Sequence, residues 1–221
     1  MERAAVTETT VVHLMRHGEV HNPTGVLYGR IPDFHLSELG RTMAERVAEH
    51  VKGRDIVHLV SSPLERAQET MEPIAKVFGL TPDIDERVIE AANLFEGKKF
   101  GVGDGALRNP SAWWLLRNPI KPSWGEPYQQ LVRRMRDAIE TARQKAAGHE
   151  ALIVSHQLPI WIVRSAIEGR RLPHDPRKRQ CSLASLTSFT FHGESIVSVG
   201  YAEPAKDLLP VKNTKKFVGG A

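Results

Sequence analysis

The chain is poor in several things, and each shortage removes a class of protein. It has one cysteine, Cys181, in 221 residues. No intrachain disulfide can form, and a metal cluster or thiol pair built on cysteines is excluded. No apolar run approaches the roughly 20 residues of a membrane helix, and residues 1–10 hold no apolar signal core. The expectation is a soluble, cytoplasmic protein with no membrane partner. The charge imbalance is small, +4 from 30 Lys and Arg against 26 Asp and Glu. That suits an anionic ligand. No dense Lys/Arg block stands beside aromatics, so no nucleic-acid partner is expected. The histidines are scattered, without the paired spacing of a metal site.

What is present is an alternation of strands and helices. Thr10–Met15 reads as a first strand. Ser37 is an N-cap, and Met43, Val47 and Val51 recur every fourth residue behind it, as one face of a helix should. Asp55–Val60 is a second strand. Ser62 as cap and Pro63 at the first helical position open a helix to Phe78, closed by Gly79. A short strand follows near Pro82–Glu86, then a long helix from Glu126 to Ala147. Ala151–Ser155 is a strand, a helix starts near Pro159, and Leu186–Phe191 with Ile196–Tyr201 reads as a hairpin. This order predicts a three-layer α/β/α sandwich whose mainly parallel sheet has an antiparallel edge. Residues 1–221 read as one domain. Residues 97–127, with Trp113, Trp114 and Trp124, break the rhythm and read as an insertion or lid; the basic segment after Pro204 reads as a loose tail.

Ligands of open parallel sheets bind outside the carboxyl ends of the strands. Arg16, His17, Gly18 and Glu19 follow the first strand. Arg66 stands in the first turn after the second, and His156 follows the Ala151–Ser155 strand. Two arginines and two histidines thus converge on one edge. Guanidinium groups, helix N-termini and the backbone of a glycine turn suit a phosphate. A histidine there can act as a nucleophile, and a carboxyl is needed to protonate the leaving oxygen. The candidates are Glu19, Glu86, Glu90 and Glu96.

Leu14-Met15-Arg16-His17-Gly18-Glu19, then Ser61-Ser62-Pro63-Leu64-Glu65-Arg66-Ala67-Gln68-Glu69-Thr70, then Val154-Ser155-His156 resemble the three motifs of the histidine phosphatase superfamily, the phosphoglycerate mutase-like proteins. The likeness spans about residues 10–201. It implies that fold, and it implies His17 as the residue that becomes phosphohistidine. Arg16 and Arg66 then hold the phosphoryl oxygens, with His156 as second histidine of the pocket. Glu90, a little before Phe95-Glu96-Gly97, matches the family's proton donor, with Glu86 and Glu19 in reserve. Asn22, Arg30 and Gln157 fall at or beside phosphate- and substrate-binding positions. Gly29-Arg30 and Leu36-Ser37-Glu38-Leu39-Gly40 also look like family positions. The family uses no metal or other cofactor for this chemistry.

The chain departs from the pattern in three places. Pro23 stands where an Asn is common, with Asn22 one residue earlier; Ala91-Ala92-Asn93 replaces a glycine-containing run; Gln157 follows His156 in place of Gly. The implied reaction is hydrolysis of a small phosphorylated metabolite. A phosphoglycerate mutase is the alternative within the family, and a phospho-ligand binding module the alternative outside it. In-line attack needs neutral His17, so activity is expected to fall as pH drops through the ordinary imidazole range. The oligomeric state is open, a homodimer included.

Overall fold

The computed structural model describes residues 8–93, 96–97 and 125–209. Six strands form one sheet: β1 (Thr9–Arg16), β2 (Ile56–Ser61), β3 (Asp83–Ile84), β4 (Glu150–Ser155), β5 (Leu186–His192) and β6 (Ser195–Ala202). Their order is β3-β2-β4-β1-β5-β6. The first four run parallel, and β5 and β6 add the antiparallel edge.

Side-chain alternation explains why the middle of this sheet is covered twice. Val12, Leu14, Val60, Ala151 and Ile153 point to one face, where they pack with Met135, Ala138, Ile139, Ala142, Ile160 and Val163. Those partners belong to helices α3 (Tyr128–Lys145) and α4 (Gln157–Ile167). Met15, Leu59, Leu152 and Val154 point to the other face, against Met43, Val47, Val51, Met71 and Ile74. These come from α1 (Glu38–Val51) and α2 (Glu65–Phe78). The three-layer expectation is met. Among the described residues no helix is long and apolar enough to cross a membrane.

Local chemistry sets the helix ends, with one difference from the sequence reading. Ser37 caps α1 through a hydrogen bond from the Gly40 N–H at 3.0 Å. Gly79 ends α2 at φ 64°, a left-handed turn that suits glycine. The start of α2 lies later than expected. It begins at Glu65, and Leu64 before it offers no side-chain cap. The Ser62 hydroxyl accepts from the Leu64 N–H at 3.4 Å and meets His156 as well, in the turn before the helix.

The chain also stays attached beyond Pro204. Ala205 is buried, Lys206–Leu208 form a 3-10 turn, and Asp207 meets Arg46 at 3.1 Å. The expected loose tail is therefore corrected as far as Leu209. Trp113, Trp114, Trp124 and the rest of the expected lid from 98 to 124 lie outside the described residues.

Two glycines lock the loop after β1 onto α1. A Cβ at Gly40 would stand 2.0 Å from the Glu19 carbonyl oxygen, and one at Gly18 would stand 2.5 Å from that of Gly40. Both obstacles are backbone, so neither can swing aside. Gly40→Ala is expected to cost about 3 kcal/mol or more, which in a chain of this size lowers Tm by roughly 6–12 °C. Thermal unfolding followed by circular dichroism checks it, and an unchanged Tm would refute the close approach.

Candidate active site

Adjacent parallel strands β2, β4 and β1 end on one edge, and their hydrogen-bond ladder sets the level at which each chain leaves. Arg16 pairs with Ser155 across β1 and β4. The His17 N–H then donates to the Ser155 carbonyl at 3.2 Å, and the Ser62 N–H to the Val154 carbonyl at 3.0 Å. His17 and His156 step off neighbouring strands side by side, with ring centroids 5.2 Å apart. That separation is close to the strand spacing of about 4.8 Å.

The resulting cluster is buried. His17, Arg66 and His156 are fully buried and Glu90 is 4% exposed. Several polar atoms here have no hydrogen-bond partner among the described residues: Arg16 Nε, His17 Nε2, Arg66 Nε and Nη1, His156 Nδ1 and Glu90 Oε2. Buried polar groups are nearly always paired, so a cluster of orphans marks a ligand site. The remaining atoms of the same side chains are held. Arg66 donates through Nη2 to the Gly29 carbonyl at 2.6 Å and stacks over Tyr28, 4.7 Å from the ring centroid. Arg16 donates to the Cys181 carbonyl at 2.8 Å.

A carbonyl partner decides the tautomer of His17. His17 Nδ1 lies 2.8 Å from the Gly18 carbonyl, which can only accept, so Nδ1 carries the proton and Nε2 presents a lone pair. His156 Nε2 lies 2.8 Å from the Ser62 hydroxyl. That hydroxyl also accepts from the Leu64 N–H; where it donates to Nε2, His156 Nδ1 carries the proton. Burial holds both imidazoles well below their ordinary pKa, with Arg66 and Arg16 adding to the effect. Burial therefore favours the neutral form of both rings.

Among the four candidate carboxyls, the structure separates one from the rest. Glu86 is exposed, Glu19 accepts from the Ser37 hydroxyl at 2.6 Å, and Glu96 accepts from the Arg30 N–H at 3.0 Å. Glu90 is buried and keeps one oxygen unpartnered; the other accepts from the Ala91 N–H at 2.7 Å. Burial pushes its pKa above the usual carboxylate value, against the Ala91 hydrogen bond and the charges of Arg66, Arg179 and Arg16. Such a group retains its proton at a higher pH than most carboxyls. Its loop is pinned from three sides. Ser155 donates to the Val88 carbonyl at 2.7 Å, Arg134 to the Arg87 carbonyl at 2.6 Å, and Arg30 to the Glu90 carbonyl at 2.7 Å. Glu126 ties the two arginines together at 2.8 and 3.0 Å.

Three other residues singled out in the sequence stand differently. Asn22 turns its amide onto its own loop: Nδ2 donates to the Val26 carbonyl and Oδ1 accepts from the Val26 N–H. Arg30 supports the Glu90 loop, as above. Gln157 bridges the Cys181 carbonyl and Arg179. Arg179, Ser62 and the Glu126–Arg134 pair were not anticipated. Arg179 had a signal: β5 runs antiparallel to β1, so the segment entering β5 must pass the carboxyl end of β1.

This arrangement can bind a tetrahedral oxyanion against an imidazole lone pair, with an acid alongside. A profile of the histidine phosphatase superfamily (branch 1) matches residues 12–204. The chain belongs to that superfamily. Within it, the chain is 54% identical over 198 residues to "Uncharacterized protein Rv0525" of Mycobacterium tuberculosis, covering 90% of this chain and 98% of that one. It is 31% identical over 195 residues to a Yersinia pestis protein named "Probable phosphoglycerate mutase GpmB", covering 78% and 82%. The superfamily fold is seen again in mycobacterial glucosyl-3-phosphoglycerate phosphatase, with a TM-score of 0.70 at 24% identity over 88% of this chain and 98% of that one.

Proposed function

We propose that the protein is a metal-independent phosphomonoester hydrolase working through phosphohistidine on His17, with a small phosphorylated metabolite as substrate. The observation that carries this reading is the His17 tautomer: a buried, neutral imidazole with Nδ1–H fixed on the Gly18 carbonyl and an unpartnered Nε2 among orphaned arginine donors. Nε2 attacks phosphorus and forms an N–P bond. The ester P–O bond breaks, and the leaving alkoxide takes the proton of Glu90. Arg16, Arg66 and His156 Nδ1–H donate to the phosphoryl oxygens as charge develops. Water then attacks phosphorus and returns a proton to Glu90, and the N–P bond breaks to release phosphate.

The test is phosphate release from a panel of phosphomonoesters in EDTA. Turnover unaffected by the chelator is expected, and turnover that requires added metal would refute the reading. A second reading, phosphotransfer of the mutase type, is favoured by the relative named as a phosphoglycerate mutase. Interconversion of 3-phosphoglycerate in the presence of bisphosphoglycerate, without phosphate release, would establish it instead.

A further inference from the structure

Arg179 is held by neutral groups. Its Nε donates to His174 Nε2 at 2.8 Å and its Nη1 to Gln157 Oε1 at 3.1 Å. His174 is fixed as an acceptor, because its Nδ1 donates to the Leu172 carbonyl at 2.6 Å. The ring is also flanked by Trp161 and Tyr128, with centroids 5.8 and 6.1 Å away. Gln157 in turn donates to the Cys181 carbonyl at 3.3 Å, the same oxygen that Arg16 uses. One carbonyl and one amide thus connect the guanidinium of Arg16 to that of Arg179.

Several nearby arginines are neutralised, and Arg179 is not. Arg30 and Arg134 face Glu126, Arg164 and Arg170 face Glu168, and Arg177 faces Asp175. Arg179 has no carboxylate at ion-pair distance among the described residues, and its Nη2 makes no hydrogen bond among them. Its charge still reaches Glu90 and Arg16. A guanidinium that is oriented yet not neutralised is prepared for an anion. In the proposed reaction Glu90 protonates the leaving oxygen, so an anion met by Arg179 would belong to the leaving group.

We propose that Arg179, held by His174 and Gln157, reads a second anionic group on the leaving portion of the substrate, so that the preferred substrates are phosphomonoesters carrying a further carboxylate or phosphate. The inference rests on the hydrolase reading for its chemistry and on the pocket alone for its binding preference.

The test compares kcat/KM within matched pairs. 3-Phosphoglycerate against glycerol 3-phosphate isolates a carboxylate, and fructose 1,6-bisphosphate against fructose 6-phosphate isolates a second phosphate. Wild type is expected to favour the first member of at least one pair, and that pair names the group. Arg179→Gln should lower the preference about 10- to 100-fold, in line with a hydrogen bond to a charged partner, with Arg179→Lys in between. An equal loss on all four substrates would mean that Arg179 only supports Glu90, and would overturn the proposal; so would no preference in wild type. If no substrate turns over, the hydrolase reading fails on its own. Dissociation constants for the same pairs, by calorimetry, then decide: a preference lost in Arg179→Gln upholds the proposal, and equal affinities refute it. Should Arg179→Gln unfold, His174→Ala frees the same guanidinium and is expected to weaken the preference in the same direction.

Discussion

Replacing His17 with alanine is expected to lower kcat by about 10⁴-fold or more, since the imidazole is proposed to form the covalent bond in the first step. Rapid quenching in alkali after mixing with ³²P-labelled substrate should show acid-labile label on the wild-type chain and none on the variant. The loss should not arise from unfolding. His17 projects from the end of β1 and its side chain bonds to its immediate neighbour Gly18. A cavity there costs stability without touching the ladder. His17→Gln fills more of that space and should be equally inactive, with thermal unfolding as the control for both. Label on either variant, or turnover near the wild-type rate, would place the nucleophile elsewhere and sink the phosphohistidine reading.

Glu90→Gln is expected to lower kcat by about 10²- to 10⁴-fold on alkyl phosphomonoesters, the range for loss of a general acid. The effect should depend on the leaving group. An alkoxide must be protonated as it departs, whereas p-nitrophenolate leaves unaided, so p-nitrophenyl phosphate should lose far less. Equal losses on both would argue that Glu90 is structural. The pH profile follows from the same geometry. Burial raises the Glu90 pKa, so the acid form persists above the usual carboxylate range, and the rate on alkyl substrates should fall as pH rises through that raised value. Glu90→Gln should abolish this limb. Burial lowers the His17 pKa. Neutral His17 therefore survives below the ordinary imidazole range, and the acid-side fall expected from sequence moves to lower pH.

The sequence was most informative where structure is local. Apolar runs in Val12–Met15 and Ala151–Val154 identify central strands, and the rule about strand ends then puts Arg16, His17, Arg66 and His156 on one edge. What it did not disclose depends on partners far along the chain. The Ser62 hydroxyl looks like a helix cap, and its partner, His156, lies 94 residues away. The clamp on the Glu90 loop joins Arg30 to Glu126 across 96 residues. Asn22 looked like a phosphate ligand, but its amide finds closer partners in the turn that it builds itself. Arg179 sits in a run of basic residues where nothing local distinguishes it from Arg177. The difference lies in what each one faces: Asp175 for Arg177, and the neutral His174 and Gln157 for Arg179.

The orphaned atoms of the pocket have a meaning for the life of the fold as well as for its chemistry. A domain has only about 5–15 kcal/mol of net stability. An oxyanion that pairs with Arg16, Arg66 and His156 binds only the folded chain. At a hundred times its dissociation constant it would add about 2.7 kcal/mol to stability. Substrate and product are therefore folding ligands, and the resistance of the protein to heat and proteolysis should follow the phosphate status of its surroundings.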